Sequence, residues 1–204
     1  MSENDKGLRA AVIALAGYRG GNGLAPLDAI EAYWREQLES RGVAPSRAEL
    51  DPRGFSKALT NCFIAEAITP RHLRLRLTGQ HLSEVMGMDM RGMPLSALIL
   101  PDSRPHLEQL IAEALAGPAR PTRINIFAPP RFGQPALYGG MVLLPLRNEP
   151  GAPQRMLGAF ATVGKQGRAP RRFRILGAGA ENRPAIAPGR PVLQVIEGGL
   201  SERV

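Results

Sequence analysis

Seven residues, His72-Leu-Arg-Leu-Arg-Leu-Thr78, alternate apolar and polar with a period of two and end at Gly79. Successive side chains of a strand point to opposite faces, so the run specifies a half-buried strand with leucines against a core and arginines toward water. The next residues, 80–86, read as a short helix stopped by Gly87. A strand of this kind, feeding at once into short helical pieces, requires a sheet with helices packed on a face.

The elements around it extend the pattern. A helix opens at Pro26, a residue suited to the first turn, and carries Leu27, Ile30, Trp34 and Leu38 on one face. Asp28 and Glu31 complement the N-terminal end of its dipole, Arg41 the C-terminal end, and Gly42 terminates it. Two uses of the stripe stand side by side. It docks the helix on the core through Trp34, or its remaining apolar edge pairs two copies in a C2 homodimer with Leu27, Ile30, Trp34 and Leu38 as interface candidates. Residues 45–52 are a turn-rich connection, and 55–67 a short helix running into a strand. After the loop Met90-Arg-Gly-Met-Pro94 come a helical turn at 95–100 and a longer helix capped by Asp102 or Ser103, with Pro105 in its first turn. That helix places Leu107, Leu110, Ile111, Ala114 and Leu115 on one face and ends at Gly117-Pro118. Strands follow at 122–127, 136–146 and 155–163. Their short connections, Pro129-Pro130 and 148–153, make antiparallel pairing the default. The expectation is an α+β fold: a five-stranded antiparallel sheet with short helices on one face, preceded by an amphipathic N-terminal helix.

Composition sets the ends. Gly and Pro number 23 and 19 of 204 residues, which points to long loops or loose termini. The expected division is a flexible extension over 1–25 with a glycine hinge at 18–23, one domain over 26–165, and a basic, Pro/Gly-rich tail over 166–204. Within that tail a short strand could form at 192–196. The formal net charge is +8, and the acid-free run KQGRAPRRFR carries Lys165, Arg168, Arg171, Arg172 and Arg174. A net charge of that size raises the question of an anionic partner. The single cysteine, Cys62, excludes a disulfide framework and a multi-cysteine metal site; its apolar surroundings make it a small buried residue. The early apolar run at 10–17 is too short to cross a bilayer, which needs ~20 residues, and has no cleavage pattern of a signal peptide. The expectation is a cytoplasmic protein without membrane contact.

Several residues in order resemble a bacterial PAS-domain family of short, mostly single-domain proteins. These are Trp34 in the leading helix, Pro45-Ser-Arg47 with Leu50-Asp-Pro52, Leu73-Arg-Leu-Arg-Leu-Thr-Gly79, Gly87 to Arg91-Gly92, and the strand at 139–146. The resemblance covers about Leu27 to Lys165. It implies a PAS-like sheet and short helices enclosing a space that holds haem, flavin, another small molecule, or only side chains. It also implies sensing or protein interaction, leaving the chemistry to the site itself.

The residues speak against the two commonest coloured cofactors, and the cofactor is left unknown. Haem needs an axial ligand, and His106 sits in the first turn of its helix beside Pro105, where an exposed histidine is expected. His72 and His81 open a strand and a helix and read as solvated edge residues. The Asn-Cys-Arg motif of photoactive flavin-binding PAS domains is missing. There is no Gly-x-Ser-x-Gly and no phosphate-binding glycine loop, since Gly177-Ala-Gly179 lacks a Lys-Ser/Thr. The chain is therefore expected not to be an enzyme.

Periodicity gives the pocket candidates: Ile64, Leu75, Leu82, Met86, Leu98, Leu107, Ile111, Ile126, Leu143 and Phe160, with Leu77 and Leu110 also facing inward. The function expected is a signalling or sensor module that binds a small-molecule ligand or an unidentified signalling protein, without catalytic output. The alternative is a nucleic-acid-associated regulatory protein using the arginines of 165–174. No helix-turn-helix or basic-aromatic motif accompanies that charge, so nucleic acid is not the expected partner. No metal site is expected.

Overall fold

The computed structural model describes residues 22–178 apart from 118, 149 and 151–153. Most of the expected 1–25 extension and the 179–204 part of the expected tail, with its strand at 192–196, therefore lie outside the described residues.

Helix α1 (Ala25–Arg41) has Pro26 in its first turn and closes on Gly42 at φ 71°, whose N–H donates to Leu38 O. A 3-10 segment, Pro52–Asn61, leads into β1 (Cys62–Thr69) and β2 (His72–Thr78). Next come α2 (Gln80–Met86), the 3-10 turn Leu95–Leu98 and α3 (Arg104–Ala116). Strands β3 (Thr122–Ala128), β4 (Leu137–Pro145), β5 (Arg155–Val163) and β6 (Arg174–Ala178) complete the order. The strands form one antiparallel sheet in the order β2-β1-β5-β4-β3-β6.

Both faces of the sheet are covered by helical elements. On one face α2, the Leu95–Leu98 turn and α3 close over an apolar cluster. On the other, α1 and the Pro52–Asn61 segment cover a second cluster against β1, β4 and β5. This accounts for the lack of alternation in β4 and β5: apolar residues face a core on either side, so both strands read as continuous apolar runs.

Trp34 is fully buried, and its indole Nε1 donates to Pro145 O at 3.0 Å. Gly140 lets the helix approach closely, since a Cβ there would lie 2.7 Å from Leu27 Cδ1. Arg123 of β3 clamps the same helix, bonding Glu31 Oε2 at 2.5 Å and Asp28 Oδ1 at 2.7 Å. This arrangement corrects the dimer reading of the stripe. Leu27, Ile30 and Trp34 are 2%, 0% and 0% exposed, and Leu38 packs partly buried on the same cluster. The stripe is covered by the chain's own sheet, and no apolar edge of the expected size remains along it.

The far end of the domain also differs from expectation. A sixth strand, β6, pairs with β3 beyond the five expected. Phe173 is fully buried and its backbone bridges to the segment before α3, donating to Leu98 O at 2.9 Å and accepting from Leu100 N at 2.8 Å. The domain thus runs past Lys165, and residues 166–178 belong to it rather than to a tail. The basic run conceals this: one phenylalanine among arginines carries the packing.

Candidate functional site

The space the sequence points to lies between the inner face of the sheet and the elements from α2 to α3. Two glycines bracket α2 beside it. The β2–α2 turn passes so close to the Pro52–Asn61 segment that a Cβ on Gly79 would stand 2.4 Å from Thr60 O, and Gly79 N donates to Cys62 O at 2.7 Å. Gly87, at φ 69°, ends α2 in the left-handed conformation, with Gly87 N and Met88 N returning to Glu84 O and Ser83 O. The loop after it runs along the edge of β2: Gly92 N donates to Leu75 O at 2.7 Å, and Leu75 N to Met93 O at 2.9 Å. A free strand edge invites pairing with another chain, and here the loop occupies it.

Nine of the ten pocket candidates meet in this interior: Leu75 from β2, Leu82 and Met86 from α2, Leu98, Leu107 and Ile111 from the turn and α3, and Ile126, Leu143 and Phe160 from the sheet. Ile64 does not. It faces the opposite cluster beneath α1, while Phe63 and Ala65 on either side face inward. Residues 62–65 are buried on both faces, so the run gives no alternation by which to choose the inward parity. Leu77 is a second correction, being 45% exposed. Ile64 pairs with Leu77 but Ala65 with Leu75, so a bulge at Arg76 shifts Leu77 out of the alternation that Leu75 obeys. Leu110 packs in the interior as expected.

Sequence reasoning missed several occupants. Met90, Met141 and Met156 join Met86 in the same cluster, and Phe63 and Phe173 bring aromatic rings to it. Phe173 meets Phe160 edge-on, with centroids 5.5 Å apart. His81 also departs from the solvated-edge reading. Its side chain is 20% exposed, its Nε2 lies 3.0 Å from Thr162 Oγ1, and its ring stands 5.7 Å from that of Phe160. Burial lowers its pKa below the usual value against an opposing pull from Glu84, which favours neutral imidazole. His72 stays at the edge, beside Glu108 at 3.5 Å, and His106 is exposed at the start of α3.

Cys62 is buried under α1, its thiol donating to Ala58 O at 3.0 Å, and burial pushes its pKa up to about 12. A thiol held in that form is a poor nucleophile. Among the described residues no group of three or more His, Cys, Asp or Glu side chains is placed to hold a metal ion, and no helix is long and apolar enough to cross a membrane.

A separate surface groove of about 540 Å³ runs between the C-terminal ends of α1 and α3, lined in part by Leu38, Val43, Leu115, Pro145, Arg147 and Arg155. None of the ten pocket candidates lines it. Its two arginines are already engaged, Arg147 with Glu49 and Arg155 with Glu66.

Of the five cations on which the nucleic-acid alternative rests, Arg171 is 1% exposed and so is withdrawn from any extended surface. Lys165, Arg168, Arg172 and Arg174 are exposed.

A family model described as a PAS domain matches residues 24–161, from the start of α1 to within β5. No curated protein matches the chain.

Proposed function

Because this chain belongs to the PAS domain family, we propose that it acts as a sensor module whose interior takes a small apolar ligand, its occupancy being read by a signalling partner without catalysis by the chain itself. The observation that carries this reading is the make-up of the interior. Met86, Met90, Met141 and Met156 all lie in the one cluster enclosed by the sheet, α2 and α3. Methionine is unbranched and polarisable, so a core built on it can repack around a guest at lower cost than one of branched side chains. His81 and Thr162 stand at the margin of the cluster, beside Phe160, and supply the polar group that would orient a ligand.

Readout would pass through α2 and the segments bonded to it. Arg171 N donates to Val85 O at 3.0 Å, and Gln166 Nε2 to Glu84 O at 2.6 Å, so displacement of α2 reaches the loop leading to β6. The lack of catalytic output is part of the proposal. It rests on the inert state of Cys62 and on the chain's lack of a nucleophile motif. A cytoplasmic setting fits this reading.

Hydrogen–deuterium exchange tests it. Addition of a small-molecule extract of the producing cells should slow exchange in α2, the Leu95–Leu98 turn and α3. Unchanged exchange in all three would overturn the proposal.

A further inference from the structure

A second cavity, of about 320 Å³, lies at the end of the sheet where three wall segments meet: Leu100-Pro101 before α3, the tip of the β3–β4 hairpin, and Pro170-Arg171-Arg172 before β6. It shares no lining residue with the methionine-rich interior. The walls are held by backbone bonds. At the hairpin tip Arg131 and Gln134 exchange both N–H···O bonds at 2.8 Å around Phe132-Gly133, with Gly133 at φ 70°. Gln134 Nε2 donates to Arg168 O at 2.7 Å and to Pro170 O at 3.2 Å, fastening the tip to the wall opposite. The third wall is pinned through Phe173 to Leu98 and Leu100.

Three arginines, Arg131, Arg171 and Arg172, line this one small space. Arg171 is 1% exposed, and its guanidinium donates to Pro135 O at 2.6 Å and to Gln166 O. Those acceptors are neutral carbonyls. None of the three arginines makes an ion pair among the described residues. A buried cation without a counter-charge is costly, and most buried charges are paired. Burial and the nearby charge of Arg131 both push the Arg171 pKa down from its usual value, as expected where cations gather without an acidic partner among the described residues. The three wall prolines, Pro101, Pro129 and Pro170, have no N–H, so donors to a guest must come chiefly from side chains.

We propose that this cup binds a doubly charged oxyanion, the phosphate group of a small phosphomonoester, with Arg131 and Arg172 donating to its oxygens above the fixed charge of Arg171. Guanidinium groups match phosphate geometry through paired N–H donors, and three cations favour a dianion over a monoanion. The volume lies at the small end of ligand pockets, which run ~300–1,000 Å³. It suits a compact metabolite rather than a polymer. This inference stands apart from the sensor reading, because the cup is complete whether or not the interior takes a ligand.

Isothermal titration of the full chain tests it at fixed ionic strength, with inorganic phosphate, glycerol phosphate, acetate and chloride as titrants and a short DNA duplex as a competitor. Saturable binding of phosphate and glycerol phosphate, one per chain, is expected, with acetate and chloride at least tenfold weaker. Arg131→Gln and Arg172→Gln, both on exposed side chains, should each weaken phosphate binding by roughly tenfold while the melting curve stays cooperative. Arg171→Gln is a less secure probe, since its loss leaves the carbonyls of Pro135 and Gln166 without their donor. The proposal is overturned if phosphate gives no saturable heat up to about 1 mM, the upper end of usual metabolite affinities, if both exposed variants bind as well as the parent chain, if chloride competes equally at the same ionic strength, or if the duplex displaces phosphate.

Discussion

The indole Nε1 of Trp34 donates to the carbonyl oxygen of Pro145 across the outer face of the sheet, at 3.0 Å, and the whole ring is shut away from water. One helix residue is thereby bonded to the last residue of β4, and α1 becomes part of the domain's second core. Trp34→Ala should lower the unfolding free energy by ~3–5 kcal/mol through the cavity it leaves. Trp34→Phe should cost less because much of the volume remains. Chemical denaturation followed by circular dichroism measures both. A loss below ~1 kcal/mol for the alanine variant would show that α1 is only loosely attached.

Gly158 is held by Phe63. The two are cross-strand neighbours, and a Cβ on Gly158 would lie 2.3 Å from Phe63 Cζ. Gly158→Ala should therefore destabilise by ~1–3 kcal/mol, as overpacking of a close-packed core does. Combining it with Phe63→Leu should cost less than the sum of the two single changes, because the smaller side chain vacates the contested space. Additive losses in the double-mutant cycle would place the strain elsewhere.

The bulge at Arg76 makes a pair of leucines in one strand unequal. Leu75 is fully buried and Leu77 is 45% exposed. Leu75→Ala should cost ~2–5 kcal/mol, whereas Leu77→Thr should stay within about 0.5 kcal/mol of the parent. Equal losses would mean that the strand alternates without interruption.

Two groups give the acid limb of stability a defined shape. Glu49 accepts from Ser46 N at 2.7 Å and faces Arg147, and these interactions, the backbone bond foremost, hold its carboxyl down to about 2 from 4.5. A lowered folded-state pKa means that this stabilisation is present above pH 4.5 and is lost as pH falls toward 2. Glu49→Gln should be less stable than the parent at neutral pH, and the gap should close across that window. His81 works at a higher pH. Its pKa is lowered from 6.5 by burial, so below pH 6.5 the unfolded chain takes up a proton that the folded chain resists. Stability should decline as pH drops below that value, and His81→Gln should remove that part of the decline. Denaturation midpoints from pH 8 down to about pH 2 follow both; parallel profiles for parent and variants would contradict the assignment.

The legible parts of the fold are those with punctuation in the sequence. Helix α2 could be read in full because Gly79 and Gly87 bracket it, and α1 because Pro26 and Gly42 mark its ends. The interior was legible wherever a strand or helix has one buried face, as at Leu75, Leu82, Met86 and Ile111. It failed where both faces are buried, at Ile64 and Phe63, since a continuous apolar run carries no parity. It failed again at Leu77, because a bulge is set by pairing with a distant strand rather than by local sequence. Strand β6 was hidden for a third reason: charge in the run from Lys165 to Arg174 reads as solvation, whereas Phe173 within it is fully buried in the core. The Arg131–Arg171–Arg172 cup was legible only in part: the basic run singles out Arg171 and Arg172, but its walls lie up to 72 residues apart, so Arg131 joins them only through the fold.

Native mass spectrometry of the full chain, isolated gently from cells that make it, reads the occupancy of the interior without prior choice of ligand. The sensor reading expects a population heavier than the bare chain by a discrete small-molecule mass, released on mild activation, and loss of that population on Met86→Ala or Phe160→Ala. A spectrum of bare chain alone, unchanged after incubation with the cells' small-molecule extract, would contradict it.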